Sequence, residues 1–220
     1  MRGPGPVTAD GCAVEVYRRL PAMGEPELVH RLAGAAARIL DLGAGTGRIA
    51  DPLVALGHDV VAVDHSAEML AHVRLARAHR SRIEDLDLGE RFDLVLLASH
   101  LVNTPDDALR GALLAAVGRH LTDGGRLLLQ WHEPAWFDAL RPGIVGEGTL
   151  GALTSRLDVH GYEAGLLRAT VSYSDGELVW THAFTARRLT RDDVAAALAT
   201  AGLRLEPGSP ASGWLVAVPG

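Results

Sequence analysis

Four compact apolar runs recur in the first 131 residues: Arg38-Ile39-Leu40-Asp41-Leu42, Val60-Val61-Ala62-Val63, Asp93-Leu94-Val95-Leu96-Leu97 and Arg126-Leu127-Leu128-Leu129-Gln130. Short runs that are apolar at nearly every position predict strands buried on both faces of a parallel sheet. Segments with helical spacing alternate with them. Val14–Leu20 and Glu25–Ala36 read as two short helices split by Pro21 and Pro26. Gly47–Leu56 reads as a helix with Ile49, Leu53 and Leu56 on one side. Ser66 caps a helix expected to run through Ala78, with Met69, Leu70, Val73 and Ala76 at helical spacing. Asp106–His120 is a further helix, opened by Thr104-Pro105 and stopped near Asp123-Gly124-Gly125. This alternation implies right-handed βαβ units and a sheet covered by helices on both faces.

The pattern changes after Trp131. A Gly/Pro-rich loop leads to three expected strands, Leu150–His160, Leu166–Tyr173 and Glu177–Ala186. The last two are joined by the hairpin signal Ser174-Asp175-Gly176. Leu178, Trp180, His182 and Phe184 alternate with Val179, Thr181, Ala183 and Thr185, the period of half-buried antiparallel strands. Thr190 then caps a helix to Ala201, with Asp193 placed to complete a capping box. Leu203–Glu206 and Trp214–Val218 close the chain as a short hairpin. A length of 220 residues suits a single α/β domain. Its expected parts are an N-terminal helical lid (1–36), a core (37–131), an antiparallel cap over the substrate (132–188), and the last helix and hairpin of the core (189–220).

Composition narrows the function classes. Apolar content of 48% and charged content of 22% are ordinary for a soluble protein. A net charge of -6 argues against a general nucleic-acid binder, and no stretch approaches the ~20 apolar residues of a membrane span. Every basic residue is arginine, which excludes lysine-based chemistry. Cys12 is the only cysteine, so no internal disulfide forms, as suits a cytoplasmic protein. It is expected to be inert. Met1-Arg2-Gly3-Pro4-Gly5-Pro6 precedes no long apolar run, so it reads as a disordered lead-in rather than a secretory leader.

The chemistry concentrates at Asp41-Leu42-Gly43-Ala44-Gly45-Thr46-Gly47, between an expected strand and an expected helix. Glycines there let the chain turn sharply and let a ligand lie against bare backbone. Asp64 ends the next strand, at the carboxyl edge where open α/β sheets bind ligands, and its carboxylate can accept both hydroxyls of a ribose. A dinucleotide site has G-x-G-x-x-G; here the spacing is Gly43, Gly45, Gly47, with Arg48 where the last glycine would be. Asp41 would repel a pyrophosphate and attract an ammonium group. The electrostatics favour S-adenosylmethionine (SAM), with an amino-acid tail and no phosphate, over NAD.

Ile39-Leu40-Asp41-Leu42-Gly43-Ala44-Gly45-Thr46-Gly47-Arg48 resembles the first motif of class I SAM-dependent methyltransferases, and Val61-Ala62-Val63-Asp64-His65-Ser66-Ala67-Glu68-Met69-Leu70 the second. Arg91-Phe92-Asp93-Leu94-Val95-Leu96 resembles their fourth-strand motif, and Leu121-Thr122-Asp123-Gly124-Gly125-Arg126-Leu127-Leu128 their turn into strand five. The resemblance implies an α/β fold: a seven-stranded, mostly parallel Rossmann-like sheet with a small antiparallel three-stranded insert after strand five. It implies that Asp41, Gly43 and Gly45 line the methionine part of SAM, that Asp64 holds the ribose, and that His65 and Met69 flank the adenine. Ala44, Arg48 and Ser99 complete the expected cofactor contacts. After strand three the resemblance places Arg82 and Ile83, then Glu84 and Asp85; Ile83 can pack on the adenine, Glu84 counts among the cofactor candidates, and which of Arg82, Glu84 and Asp85 meets the amino group stays open.

The acceptor belongs over the carboxyl ends of strands four and five. His100 and His132 follow those strands and are the candidate general bases, with local hydrogen bonding as the plainer role for each. Tyr17 from the N-terminal helix, Asn103 and Trp136 are candidate substrate contacts; Trp131 serves equally as core packing. His182 shares a strand face with Trp180 and Phe184 and is expected to line the core or cap. His72 and His79 are expected on one solvated helix side, and no metal site is expected. The reading is a cytoplasmic enzyme, monomer or homodimer, that methylates nitrogen or oxygen of a small molecule such as a natural-product intermediate. It has no nucleic-acid or membrane partner. A SAM-binding protein without methyl transfer and a nicotinamide oxidoreductase are the competing classes.

Overall fold

The computed structural model describes residues 1 and 3–220, the side chains at 144 and 145 aside. Helix α1 (Val14–Arg19) and helix α2 (Glu25–Ala33) precede strand β1 (Arg38–Leu42). Helix α3 (Ala50–Ala55), strand β2 (Asp59–Asp64), the single turn α4 (Ala67–Leu70), strand β3 (Arg77–Arg80) and strand β4 (Phe92–Leu97) follow. Helix α5 (Asp107–His120) leads into strand β5 (Leu121–Gln130). Helix α6 (Pro134–Ala139) opens an insert of four strands, β6 (Gly143–Leu150), β7 (Leu153–Glu163), β8 (Leu166–Ser174) and β9 (Val179–Arg187). Helix α7 (Arg191–Thr200) and strands β10 (Leu203–Leu205) and β11 (Trp214–Pro219) return to the main sheet.

The main sheet has seven strands in the order β10-β11-β5-β4-β1-β2-β3. The pairs from β5 through β3 are parallel, and β11 runs antiparallel to both β5 and β10. The apolar runs resolve into two faces. Leu40, Leu42, Val61, Val63, Val95, Leu97, Leu127 and Leu129 pack with Leu114 and Val117 of α5 and Val194 and Leu198 of α7. The alternate residues Ile39, Val60, Ala62, Leu94, Leu96 and Leu128 pack with α2 and α3. Successive side chains point to opposite faces, so both sets must be apolar when helices cover both sides.

Several elements differ from the sequence expectation. The helix after the glycine loop begins at Ala50, because the loop itself continues through Gly47. The helix capped by Ser66 ends at Leu70 instead of Ala78. Both oxygens of Asp51 draw in the chain beyond it: they accept from the N–H groups of Arg74, Leu75 and Ala76 at 2.8–3.0 Å. The segment Arg77–Arg80 then pairs with β2. His79 therefore lies in a strand and shares no helix side with His72. The insert is a four-stranded antiparallel sheet in the order β6-β7-β8-β9, not three-stranded. Its first strand and α6 fall in the segment read as a Gly/Pro-rich loop. The capping box at Thr190 and Asp193 is present.

The N-terminus is not a disordered lead-in. Gly3 N–H donates to the Val179 carbonyl at 2.7 Å, the Val179 N–H donates to the Met1 carbonyl at 2.9 Å, and Trp180 Nε1 donates to the Pro4 carbonyl at 3.1 Å. The strap continues through a turn at Thr8–Cys12 into α1. There Val16 packs with Leu153 and Trp180 of the insert, while Cys12, Val14 and Tyr17 pack on Met69 beside the glycine loop. The N-terminal segment thus bridges the insert and the carboxyl edge of the main sheet.

Candidate functional site

The glycine loop is held from below by one carbonyl. Gly43 and Ala44 N–H both donate to Val63 O at 2.9 Å, so the loop folds back over the end of β2. Gly43 has φ +75°, and a Cβ there would lie 3.0 Å from Leu101 Cδ1 and 3.9 Å from Ile83 Cδ1. Only glycine leaves this space open. Ile83 therefore borders the loop.

Two carboxylates flank the loop. Asp64 accepts from Gly45 N–H through Oδ2 and from Ser66 N–H through Oδ1, each at 2.9 Å. One lone pair on each oxygen remains for a ligand. Asp41 is 2% exposed, and its Oδ2 has no hydrogen-bond partner among the described residues. Burial pushes its carboxyl up to about 7; Arg48 opposes this and Asp64 adds to it. A buried carboxylate oxygen without a partner is costly, and a cationic ligand group relieves that cost. The cradle, the orphaned Asp41 oxygen and the half-used Asp64 fit SAM.

The other expected cofactor residues have other partners. Arg48 Nη1 pairs with the buried Glu25 at 2.7 Å and donates to Pro21 O, which ties the loop to α2. Met69 Sδ would lie 3.9 Å from a Cβ at Gly45, and its side chain packs under Cys12, Val14 and Tyr17. His65 Nδ1 lies 3.6 Å from Asp64 Oδ1, and its Nε2 lies 4.0 Å from Asp10 Oδ1. Glu84 is taken by Arg82 in an exposed pair. Tyr17 is partly buried, and its hydroxyl accepts from Cys12 Sγ at 3.3 Å. Burial pushes the Cys12 thiol up to about 11, which makes it a poor nucleophile. Asp10 and His182 complete this cluster, His182 Nε2 lying 3.1 Å from Asp10 O. No pattern in the sequence pairs residues 10 and 182; the strap brings them together.

Beyond the carboxyl ends of β4 and β5 the structure brings three expected residues into one stack. The His100 and His132 rings are parallel at 3.6 Å between centroids, and His132 stacks on Trp136 at 3.8 Å. Burial drives both imidazoles down, His100 to about 4, partly offset by the Trp131 carbonyl, and His132 to about 3, helped by its neighbour. Both are neutral near pH 7. His100 Nδ1 has no partner among the described residues. Ser99 and His100 both have φ +56°, a strained conformation for two consecutive non-glycine residues. Ser99 presents only its N–H to a described partner, Gln130 Oε1, at 2.8 Å. Gln130 was readable as the one polar residue ending an apolar strand. Asn103, expected to touch substrate, is 2% exposed and bonds to main chain from both ends of its amide. No group of three or more metal-ligating side chains occurs among the described residues.

A methyltransferase-domain family model matches residues 39–125. An uncharacterized methyltransferase of Mycobacterium tuberculosis (strain ATCC 25618 / H37Rv) is 41% identical over 130 residues, 56% of this chain and 51% of the relative. The chain thus spans about half the length of that relative. The dTDP-3-amino-3,6-dideoxy-alpha-D-glucopyranose N,N-dimethyltransferase of Streptomyces fradiae is 30% identical over 210 residues, 88% of this chain and 81% of the relative. Among solved structures, the SAM-bound amino pentose methyltransferase of Micromonospora echinaspora, involved in calicheamicin biosynthesis, superposes with a TM-score of 0.69 at 25% identity, over 89% of this chain and 88% of that one.

Proposed function

Since the chain belongs to the class I SAM-dependent methyltransferases, we propose that it transfers a methyl group from SAM to a nitrogen of a small-molecule acceptor, an amino sugar in the first instance. SAM supplies a methyl group on a cationic sulfur. The remaining lone pairs of Asp64 suit the two ribose hydroxyls, and the unpartnered Asp41 Oδ2 suits the ammonium of the amino-acid tail. Asp41 would repel a dinucleotide's pyrophosphate, which speaks against the nicotinamide reading.

The observation that carries the choice of nitrogen is the weak basicity of the stacked histidines. An alcohol must lose a proton to attack well, and bases this weak are poorly matched to taking it near pH 7. An amine brings its own lone pair once neutral and needs orientation above all. A neutral imidazole accepts an amine N–H, and the stack ending in Trp136 offers a flat wall for a ring. His100 and His132 thus act as orienting acceptors. Tyr17 and the N-terminal strap form the lid and the insert forms the cap. The names of the full-length Streptomyces relative and the Micromonospora structure support an amino sugar. No helix among the described residues is long and apolar enough to cross a membrane. We place the enzyme in the cytoplasm as a monomer or homodimer, acting on neither nucleic acid nor membrane.

The test is incubation with SAM and dTDP-3-amino-3,6-dideoxyglucose, beside the matching 3-hydroxy sugar, read by mass spectrometry. One or two methyl groups on the amino sugar alone are expected. Methylation of the hydroxy sugar contradicts the choice of nitrogen. Bound SAM that is never consumed across a panel of amino sugars favours a non-catalytic SAM-binding protein.

A further inference from the structure

Asn103 touches three parts of the acceptor wall at once. Its N–H donates to the His100 carbonyl at 2.9 Å. Its Oδ1 accepts from the His132 N–H at 2.8 Å. Its Nδ2 donates to the carbonyl of Arg187, the last residue of β9, at 2.9 Å. The two stacked histidines come from the ends of different strands, and this one residue bonds to the main chain of both. The same side chain fixes the end of the insert sheet.

The surrounding loop needs such bracing. Left-handed backbone at two adjacent non-glycine residues persists only where its neighbours over-determine it. Gln130 holds Ser99, and the buried Arg110 donates from Nε to the Val102 carbonyl at 2.8 Å and from Nη2 to the Thr104 carbonyl. Asn103 reaches from the loop both to the residue after β5 and to the end of β9. At 2% exposure it presents almost no surface to an acceptor.

We propose that Asn103 is a positioning residue that holds the His100–His132 pair in its stacked, partly buried arrangement and ties that arrangement to the insert. Its importance for the reaction rests on the stack being the acceptor wall argued above; its effect on the stack does not. Asn103→Leu nearly conserves volume, removes both side-chain bonds and leaves the His132 N–H without a partner. The measurement is an NMR titration of the His100 and His132 imidazoles with SAM bound, paired with calorimetry of SAM as a check on the cofactor half. In the parent protein His132 does not titrate above about pH 5, since a partly buried imidazole stacked on a second imidazole resists its proton. In Asn103→Leu its midpoint rises by roughly one pH unit or more toward the ordinary histidine value, with the SAM Kd within about twofold. Should that variant not fold, Asn103→Ala is read in the same way. Unmoved histidine titrations in the folded variant, or a parent His132 that already titrates like a free histidine, overturn the proposal. Neither readout involves an acceptor. A protein that never methylates an amino sugar still decides the role of Asn103, and unmoved histidines leave methyl transfer to an amine standing.

Discussion

Asp64 and Asp41 do different work, although both are buried carboxylates beside one loop. Asp64 is already anchored by two backbone N–H groups, so in the proposed function it meets SAM as a fixed acceptor. Asp64→Ala should weaken SAM binding by about 1.5–3 kcal/mol, the range for hydrogen bonds to a charged group, or roughly 10- to 150-fold in Kd by calorimetry. Unchanged affinity would mean that the ribose is held elsewhere. Asp41 has no such anchor on Oδ2, and its carboxyl sits at about 7. A cationic ligand favours the ionised form, so binding must expel a proton wherever Asp41 is protonated beforehand. The SAM Kd should therefore rise as pH falls from 8 to 6, and Asp41→Asn should flatten that dependence. A parent Kd independent of pH across this window would rule out contact between Asp41 and the ammonium. Both carboxylates were legible in the sequence, because each sits at a strand end beside a glycine loop. The bracing by Asn103 was not: its partners lie 29 and 84 residues away, and no local spacing encodes them.

Elements were legible where burial is two-sided or a cap is explicit. The strands Arg38–Leu42 and Phe92–Leu97 and the Thr190 capping box follow from short-range pattern alone. The helix from Ser66 failed because apolar residues at helical spacing continue through Ala76, while the carboxylate that ends it belongs to Asp51, on another helix. The first insert strand failed because Gly143, Gly146 and Gly148 read as a loop, although β7 pairs along its length. The N-terminal strap was hidden for the same reason: its glycines and prolines look structureless until β9 supplies a partner. Gly3 lies so close to Trp180 that a Cβ there would fall within the indole ring. Gly3→Ala should therefore detach the strap and expose the Val179 amide, raising its hydrogen-exchange rate at least tenfold, with little change at β1. Equal exchange at Val179 in both proteins would show that the strap does not depend on this contact.

At the scale of the whole molecule, groups that couple stability to pH lie at both edges of the sheet. The glycine loop, Asp64 and the histidine stack lie at the carboxyl ends of the strands. At the amino ends, His58 Nδ1 accepts from Ala37 N–H and its Nε2 lies 2.9 Å from His30 Nδ1. Burial, then His30, holds the His58 pKa below the ordinary value. The unfolded chain therefore binds a proton that the folded protein resists, and stability present above about pH 6.5 is lost as pH falls. His100 and His132 act in the same direction, while Asp41, whose pKa is raised, opposes them. The urea midpoint of His58→Gln should fall less between pH 7 and pH 5 than that of the parent; an equal fall would acquit His58. The cofactor site is a separate matter, because what distinguishes it from a dinucleotide site is the spacing of Gly43, Gly45 and Gly47 beside an unpartnered buried acid. Calorimetric titration of the protein at pH 8 with SAM and, separately, with NAD tests that account most directly. Saturable binding of SAM with no heat of binding for NAD is predicted, whereas tight NAD binding without SAM binding would contradict it.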